Sequence, residues 1–529
     1  MLNSTARMRR PRWRLTRRTL LSAALVVGLS GALTACGGPD VTQAGVDAPG
    51  TPTTGGTLRV GFVGGGAADT LDGAIATNLG DVARAVNMYN SLLYRDDDFV
   101  LRPMLATSVT PNSDATVWTA HLRTDVKFSD GTPMTSDDVV ASIERIVDPE
   151  DPKNGAAGLS HLREVVAVDA ATVEFRLNQP DSALDDGLGQ YTMTIVPKDF
   201  DPAAPVGTGP FMLESFTPGQ STVLRKNPNY WGDDTPYLDE IELLNFNDTD
   251  ALINALLSSQ VDAVAQIPAA LAEVIASDSR MRVLDSETGM WLPFTMRTDV
   301  TPFDDERVRQ AFRLAVDREE MVEQVLSGYG TVGNDMFASF DPTYPEFPQR
   351  TQDLEEAKRL LAEAGYPDGL TVELATAPIQ AGVVEAAQVF AEQAAGAGIT
   401  VKINRMDLTT YWGDYLEYPF SQSFWYTRNF LPQVNSGAMP DAPFNETHWT
   451  DEEFVTLVER ARGETDDAAR SQLIEEAQRI MYDRGGNIVW GFANQLDAYQ
   501  AYVGGLEPNA TGIPLSGFQL QRVWIGDLS

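Results

Sequence analysis

Polar and apolar residues alternate over Thr57–Val63 (TLRVGFV), the period of a half-buried strand, and Gly64-Gly65-Gly66 follow at once. Farther along, caps mark helices. Thr135 with Asp138 three residues on opens a helix over 136–147, a spacing in which each side chain satisfies a free amide of the first turn. Asp317 with Glu320 opens another. The stretch Asp353–Leu361 has the helical period, a Glu355–Arg359 pair at i,i+4, and a stop at Gly365 with Pro367 beyond. A strand over 370–375, a helix over 382–395 and a strand over 399–405 make a βαβ unit, whose crossover implies parallel pairing. Two strand-like runs within 211–226 flank Thr217-Pro218-Gly219-Gln220, a hairpin turn. The pattern predicts mixed α/β structure throughout, without a short internal repeat.

One apolar run stands apart. Leu20 to Leu33 gives 14 residues, short of the roughly 20 needed to span a bilayer, so it reads as a signal-peptide core. Seven arginines and no acid lie within residues 1–35, and Arg17-Arg18 precede the apolar run. The twin arginine suggests export of a folded protein, with the general secretory route as the alternative. The run ends in Leu33-Thr34-Ala35-Cys36, which resembles a bacterial lipobox. There cleavage precedes a cysteine whose thiol carries a diacylglycerol, and two or more acyl chains give a lasting anchor. The alternative is an ordinary buried cysteine. Residues 37–54 are rich in Gly, Pro and Thr and read as a tether with a reach of roughly 25 Å. The body is thus predicted to work outside the cell, beside its own membrane.

Composition narrows the chemistry. The 529 residues suit two or three packed units, and 43% apolar with 22% charged residues is normal for a globular chain. The net charge is -36, and -43 for the part from Cys36 on, which argues against nucleic acid as a partner. A single cysteine excludes a disulfide scaffold, and three scattered histidines (His121, His161, His448) leave little for zinc. No metal or cofactor is expected. There is no GxSxG elbow, HExxH, P-loop or Cys/His pairing, and the glycines after the first strand complete no phosphate-binding pattern. The acidic pairs Asp137-Asp138 and Asp304-Asp305 could serve a glycosidase, but at helix starts they read as caps or solvated faces.

The order of local landmarks resembles the extracytoplasmic solute-binding proteins of ABC importers, family 5. Asn87–Tyr94 with Leu101–Ala106 looks like the family opening, and Trp118–Arg123 through Val126–Gly131 to Asp138-Val139 its most recognisable stretch. Further signatures are Val206–Phe211 (VGTGPF) with Asn227–Gly232 (NPNYWG), then Val308–Phe312 with Ala315–Arg318, then Ala364–Gly369. The resemblance runs from about Gly56 to the C-terminus. It implies an α/β, two-lobed periplasmic-binding-protein-like clamp of type II, in the large cluster with an extra subdomain in the first lobe. By that analogy, 1–35 is the signal peptide, 36–54 the lipidated cysteine and tether, 55–287 with 497–529 the first lobe, about 92–203 its inserted subdomain, and 288–496 the second lobe. The implied function is capture of a small solute between the lobes by a monomer, which delivers it to permease subunits and their ATPases. The membrane is touched through the Cys36 lipid alone.

The resemblance also suggests site residues. From the first lobe come Gly65, Gly66 and Asp69 after the first strand, where relatives bring ligand close to backbone. Thr208 and Gly209 lie near it, a purely structural Gly-Pro turn being the alternative. From the second lobe come Trp425, Tyr426, Thr427, Arg428 and Asn429, with aromatic surface and a guanidinium fork suited to a carboxylate. The alternative puts Phe424 and Trp425 in the core and Arg428 in solvent. Dipeptide-binding relatives place an aspartate in this loop and an arginine on the preceding unit. Here no acid lies between Glu417 and Asp441, and no basic residue between Arg359 and Lys402. A peptide or peptide-like ligand leads, with an oligosaccharide, opine or metal chelate as its rival. The chain lacks a histidine cluster for nickel itself. Outside this class stand a surface hydrolase using a carboxylate pair and a receptor that keeps the clamp without transport.

Overall fold

The computed structural model describes residues 50–526 apart from Asp234. The expectations for the signal peptide, for Cys36 and for most of the tether lie outside the described residues. Among the described residues, no helix is long and apolar enough to cross a membrane.

The alternating segment Thr57–Val63 forms the expected strand and becomes the middle of an eight-stranded sheet. It lies parallel to Glu240–Phe246, with Thr57 opposite Glu240 and Val63 opposite Phe246, and it also borders Ala263–Val264. On one side the sheet ends in the hairpin Phe211–Thr217 and Ser221–Lys226, which turns where the Pro-Gly signal predicted. On the other side lie Gly491–Gln500 and the long strand Met281–Trp291. Leu58, Val60, Phe62, Ile241 and Leu243 fill the core between this sheet and helix Leu79–Met88.

A second sheet holds five strands in the order Ile399–Arg405, Leu370–Thr376, Phe420–Gln422, Phe294–Met296, Asn487–Ile488. Its first two strands are parallel, joined by helix Val383–Ala395, which is the βαβ unit. Phe294, Phe303, Phe312, Phe390 and Phe420 cluster in its core, with ring centroids as close as 4.5 Å. The chain passes from the first sheet to the second between Trp291 and Phe294, and returns between Ile488 and Gly491. A four-stranded antiparallel sheet, in the order Ala106–Pro111, Val117–Leu122, Thr172–Leu177, Leu162–Asp169, has its own core around Trp118, Phe128, Ile143 and Phe175.

The caps form as read. Thr135 and Asp138 make a capping box at helix Ser136–Ile146, and Asp317 and Asp353 each accept the amide three residues on. The pairing inside helix Leu354–Glu363 differs. Arg359 reaches Glu356 and Glu363, while Lys358 takes Glu355 at 2.7 Å. Both i,i+3 and i,i+4 neighbours are within reach on a helix, and the abundance of acids here lets another partner win.

Candidate functional site

Gly64 and Gly65 leave the first strand in left-handed backbone conformations. At Gly65 a side chain would also collide with Asn245, whose Nδ2 lies 2.0 Å from the ideal Cβ position. The close approach that this glycine permits is therefore to a neighbouring strand. Asp69 is turned inward, and its carboxylate accepts from the Gly66 amide (2.9 Å), the Gly219 amide (2.9 Å), Asn245 Nδ2 (3.0 Å) and Asn78 Nδ2 (3.3 Å). Four donors saturate its two oxygens. Asp69 ties the first strand's exit to the hairpin turn, and Gly65 lets Asn245 pack close beside it.

Thr208 and Gly209 lie beneath the surface. Thr208 is fully buried and donates to Asn90 Oδ1 at 3.1 Å. A Cβ on Gly209 would sit 2.4 Å from the Asn87 carbonyl oxygen, so glycine lets the turn press against the end of helix Leu79–Met88. The structure gives both residues packing contacts there.

That loop is built differently. Strand Phe420–Gln422 runs into Ser423–Asn429, and helix Phe430–Gly437 follows. Trp425 exchanges backbone hydrogen bonds with Trp291, each 3.0 Å long. Its ring stacks on Trp291, which stacks on Phe337, which stacks on Phe430. The face of this aromatic column carries the guanidinium of Arg428, 5.2 Å above the Trp425 ring. Behind Trp425 lies the buried carboxyl of Glu446, hydrogen-bonded to Ser423, Tyr415 and Trp425. Burial pushes its pKa up from 4.5 to about 7.

Thr427 links two distant segments. Its Oγ1 donates to the Ala510 carbonyl at 2.6 Å and accepts from the Gly289 amide at 2.9 Å. Asn429 does the same toward the region of the four-stranded sheet. Its Nδ2 donates to Asp186 Oδ2 at 2.9 Å, and Asp186 also pairs with Arg95. The side-chain oxygen of Asn429, Oδ1, is buried without a partner. Beside it, burial raises the pKa of Asp185 to about 6, with Arg95 acting against that rise.

Arg428 itself is half-buried. Its Nη1 donates to Ser436 Oγ at 2.8 Å, and among the described residues no carboxylate pairs with it. Lost hydration pushes its pKa down, opposed by Tyr191. Tyr191 in turn feels Tyr426, Arg428 and Asp81, so its phenol lies near this cation. In a chain with 75 acids, a sheltered guanidinium without one is an arrangement for an incoming anion. Part-exposed Tyr191 near it adds flat surface and a hydroxyl donor.

Of the residues expected from sequence, Trp425 to Asn429 follow one another in one loop, while Asp69, Thr208 and Gly209 make internal hydrogen bonds and packing contacts. Tyr191, Asp186 and Ser436 were not foreseen, because an isolated Tyr, Asp or Ser carries no pattern. The acidic pairs act as caps. Asp138 closes its capping box, and Asp305 accepts the Arg307 amide at 2.9 Å. Among the described residues, no group of three or more His, Cys, Asp or Glu could hold a metal ion.

Comparison with known proteins adds a separate line of observation. Residues 100–440 match the family described as bacterial extracellular solute-binding proteins, family 5 Middle. The glutathione-binding protein GsiB of Salmonella typhimurium (strain LT2) is 28% identical over 348 residues, covering 64% of this chain and 67% of that protein. GsiB of Escherichia coli (strain K12) is 27% identical over 352 residues with the same coverage. Among solved structures, the binding protein AgaA of A. tumefaciens R10, in complex with agropinic acid, superposes with a TM-score of 0.76 at 27% identity, covering 90% of this chain and 99% of that one. DppA of Helicobacter pylori, in complex with the peptide STSA, shares the fold with a TM-score of 0.74 at 23% identity, covering 90% and 99%.

Proposed function

Because this chain belongs to the bacterial extracellular solute-binding proteins of family 5, we propose that it captures a small carboxylate-bearing peptide or peptide-like solute for an ABC importer. The supporting observation is Arg428, a sheltered cation with no acidic partner among the described residues, where segments from distant parts of the chain meet. In this reading the first lobe comprises 55–287 and 497–529, with 92–203 as its subdomain, and the second lobe comprises 288–496. Thr427 and Asn429 then hold the lobes together across the cleft. A solute that touches both sides favours the closed form, because only differential affinity shifts such an equilibrium. Closure presents a surface to the permease, and nothing in the step makes or breaks a bond in the solute.

The relatives support the carboxylate. Glutathione and agropinic acid, named for GsiB and AgaA, are both acids. Export through residues 1–35 and a lipid on Cys36 complete the proposal, keeping the protein at the outer face of the membrane.

Titration calorimetry with glutathione, small peptides, agropinic acid, neutral oligosaccharides and a nickel–histidine complex tests this. One or more of the carboxylate-bearing solutes should bind. Arg428→Ala should weaken that binding by about 30-fold or more, roughly 2 kcal/mol, since a ligand charge loses its partner. Amidating the ligand carboxylate should weaken binding to the parent protein and add nothing in the variant. Unchanged affinity in Arg428→Ala, or binding of neutral sugars alone, overturns the reading.

A further inference from the structure

Asn429 stands at the N-cap of helix Phe430–Gly437, a position where asparagine ordinarily turns its oxygen onto an amide of the first turn. Here its side chain makes no capping bond. Pro432, the third helical residue, has no amide to offer, and the Phe430 amide goes to Asp341 Oδ2 at 2.7 Å. Released from its own helix, the Asn429 side chain reaches Asp186 instead, 243 positions away, with Nδ2 donating to Oδ2 at 2.9 Å.

Asp186 is itself held in place. Its Oδ1 pairs with Nη2 of Arg95, and the two side chains are only 17% and 15% exposed. The guanidinium of Arg95 is fixed from two more sides. Nη1 donates to the Phe99 carbonyl at 2.7 Å, and the group lies 4.4 Å from the centre of the Phe99 ring. Phe99 meets Phe340 edge-on at 6.4 Å, next to the Asp341 that takes the Phe430 amide. Residues 95–99 with 185–186 therefore grip both the turn at 340–341 and the start of the helix. Arg428 directly precedes Asn429, and its bond to Ser436 Oγ runs to the same helix.

We propose that Asp186, steadied by Arg95, is a positioning residue that clamps Asn429, sets Arg428 against the solute and governs how long the solute stays bound. The inference rests on the Arg428 and two-lobe readings and adds a kinetic role to them. In those readings Arg95 and Asp186 belong to the first lobe and Asn429 to the second, so their bond exists only while the lobes meet. Solute enters before the bond forms and leaves only after it breaks. The clamp therefore acts on dissociation, where most differences in affinity between related complexes arise.

The test mixes the full chain with glutathione and, separately, agropinic acid, and follows tryptophan fluorescence by stopped flow. Asp186→Ala and Asn429→Ala should each raise the dissociation rate constant about tenfold or more, as loss of a hydrogen bond to a charged group does. The association rate constant should change less than about threefold. In the exchanged pair, Asp186→Asn with Asn429→Asp, the introduced amide can still accept from Arg95 and donate to the introduced carboxylate. That double variant should return dissociation to within about threefold of the parent, a rescue that loss of packing alone would not show. Asn429→Ala leaves the Arg95–Asp186 pair intact and keeps the test decisive if Asp186→Ala folds poorly. A ligand-free measurement stands beside it: spin labels at Glu164→Cys and Glu355→Cys in a Cys36→Ser background. Asn429→Ala should lengthen or broaden the label–label distance, and the exchanged pair should restore it. If Arg428→Ala abolishes binding while both alanine variants leave dissociation unchanged, the positioning role falls and the Arg428 reading stands. If neither solute binds, the label distances decide: a distribution identical in parent and Asn429→Ala overturns the inference, and a lengthened one restored by the exchange supports it.

Discussion

Glu446→Gln offers a direct measure of the electrostatics beneath the loop that carries Arg428. Glu446 is buried behind Trp425, and burial outweighs its hydrogen bonds from Ser423, Tyr415 and Trp425, raising its pKa from 4.5 to about 7. An acid whose pKa is higher in the folded state keeps its proton there after the unfolded chain has released it. Stability from this group is therefore full below about pH 4.5, declines as pH rises toward 7, and is flat above. The interval corresponds to about 3 kcal/mol. Glutamine mimics the protonated acid, so Glu446→Gln should be close to neutral at pH 4.5 and stabilising by about 3 kcal/mol at pH 8. Asp185 and Asp497, both raised to about 6 by burial, slope the same way in parent and variant and cancel in the difference. Urea unfolding of both proteins across this range measures it. A difference constant to within about 0.5 kcal/mol between pH 4.5 and 8 would refute the argument, since the carboxyl would then be charged in both states.

Other outcomes follow from the packing. Asp69→Ala should destabilise the ligand-free protein by at least about 2 kcal/mol in urea unfolding, because two backbone amides and two amide side chains lose their acceptor. A loss below about 0.5 kcal/mol would show that water replaces the carboxylate at no cost. Cys36→Ser should release the exported protein from membranes into the soluble fraction, measured by fractionation. Continued retention would contradict lipidation.

Several landmarks that marked the family turn out to be packing devices. Asn227 donates to the Gly209 carbonyl at 2.8 Å, Asn229 to the Ser129 carbonyl at 3.1 Å, and Trp231 Nε1 to Asn90 at 3.2 Å. NPNYWG thus clasps the GTGPF turn and the Ser129-Asp130-Gly131 turn together. Arg309 and Arg313 donate to carbonyls at the end of helix Asp467–Arg484, and Arg318 pairs with buried Asp335 at 2.6 Å. The short spacing within each landmark made it recognisable, while its partners lay 100 residues or more away in most of these contacts.

The same division runs through the site. Strand period, capping residues, the hairpin turn and the βαβ crossover were all legible, because each depends on interactions between residues a few positions apart. The lack of any acid between Glu417 and Asp441 was legible too, and it foretold a loop without a local partner for Arg428. What the linear order could not contain was which remote groups close around that loop. Asp186 meets Asn429 across 243 positions, Tyr191 faces Arg428, and Ala510 receives Thr427. Those meetings are decided by how separate sheets and cores pack, and burial then sets the charge state of Glu446. Local sequence determined the elements and the chemical character of one loop; only tertiary packing, which joins distant segments and removes water from between them, made that loop a candidate site.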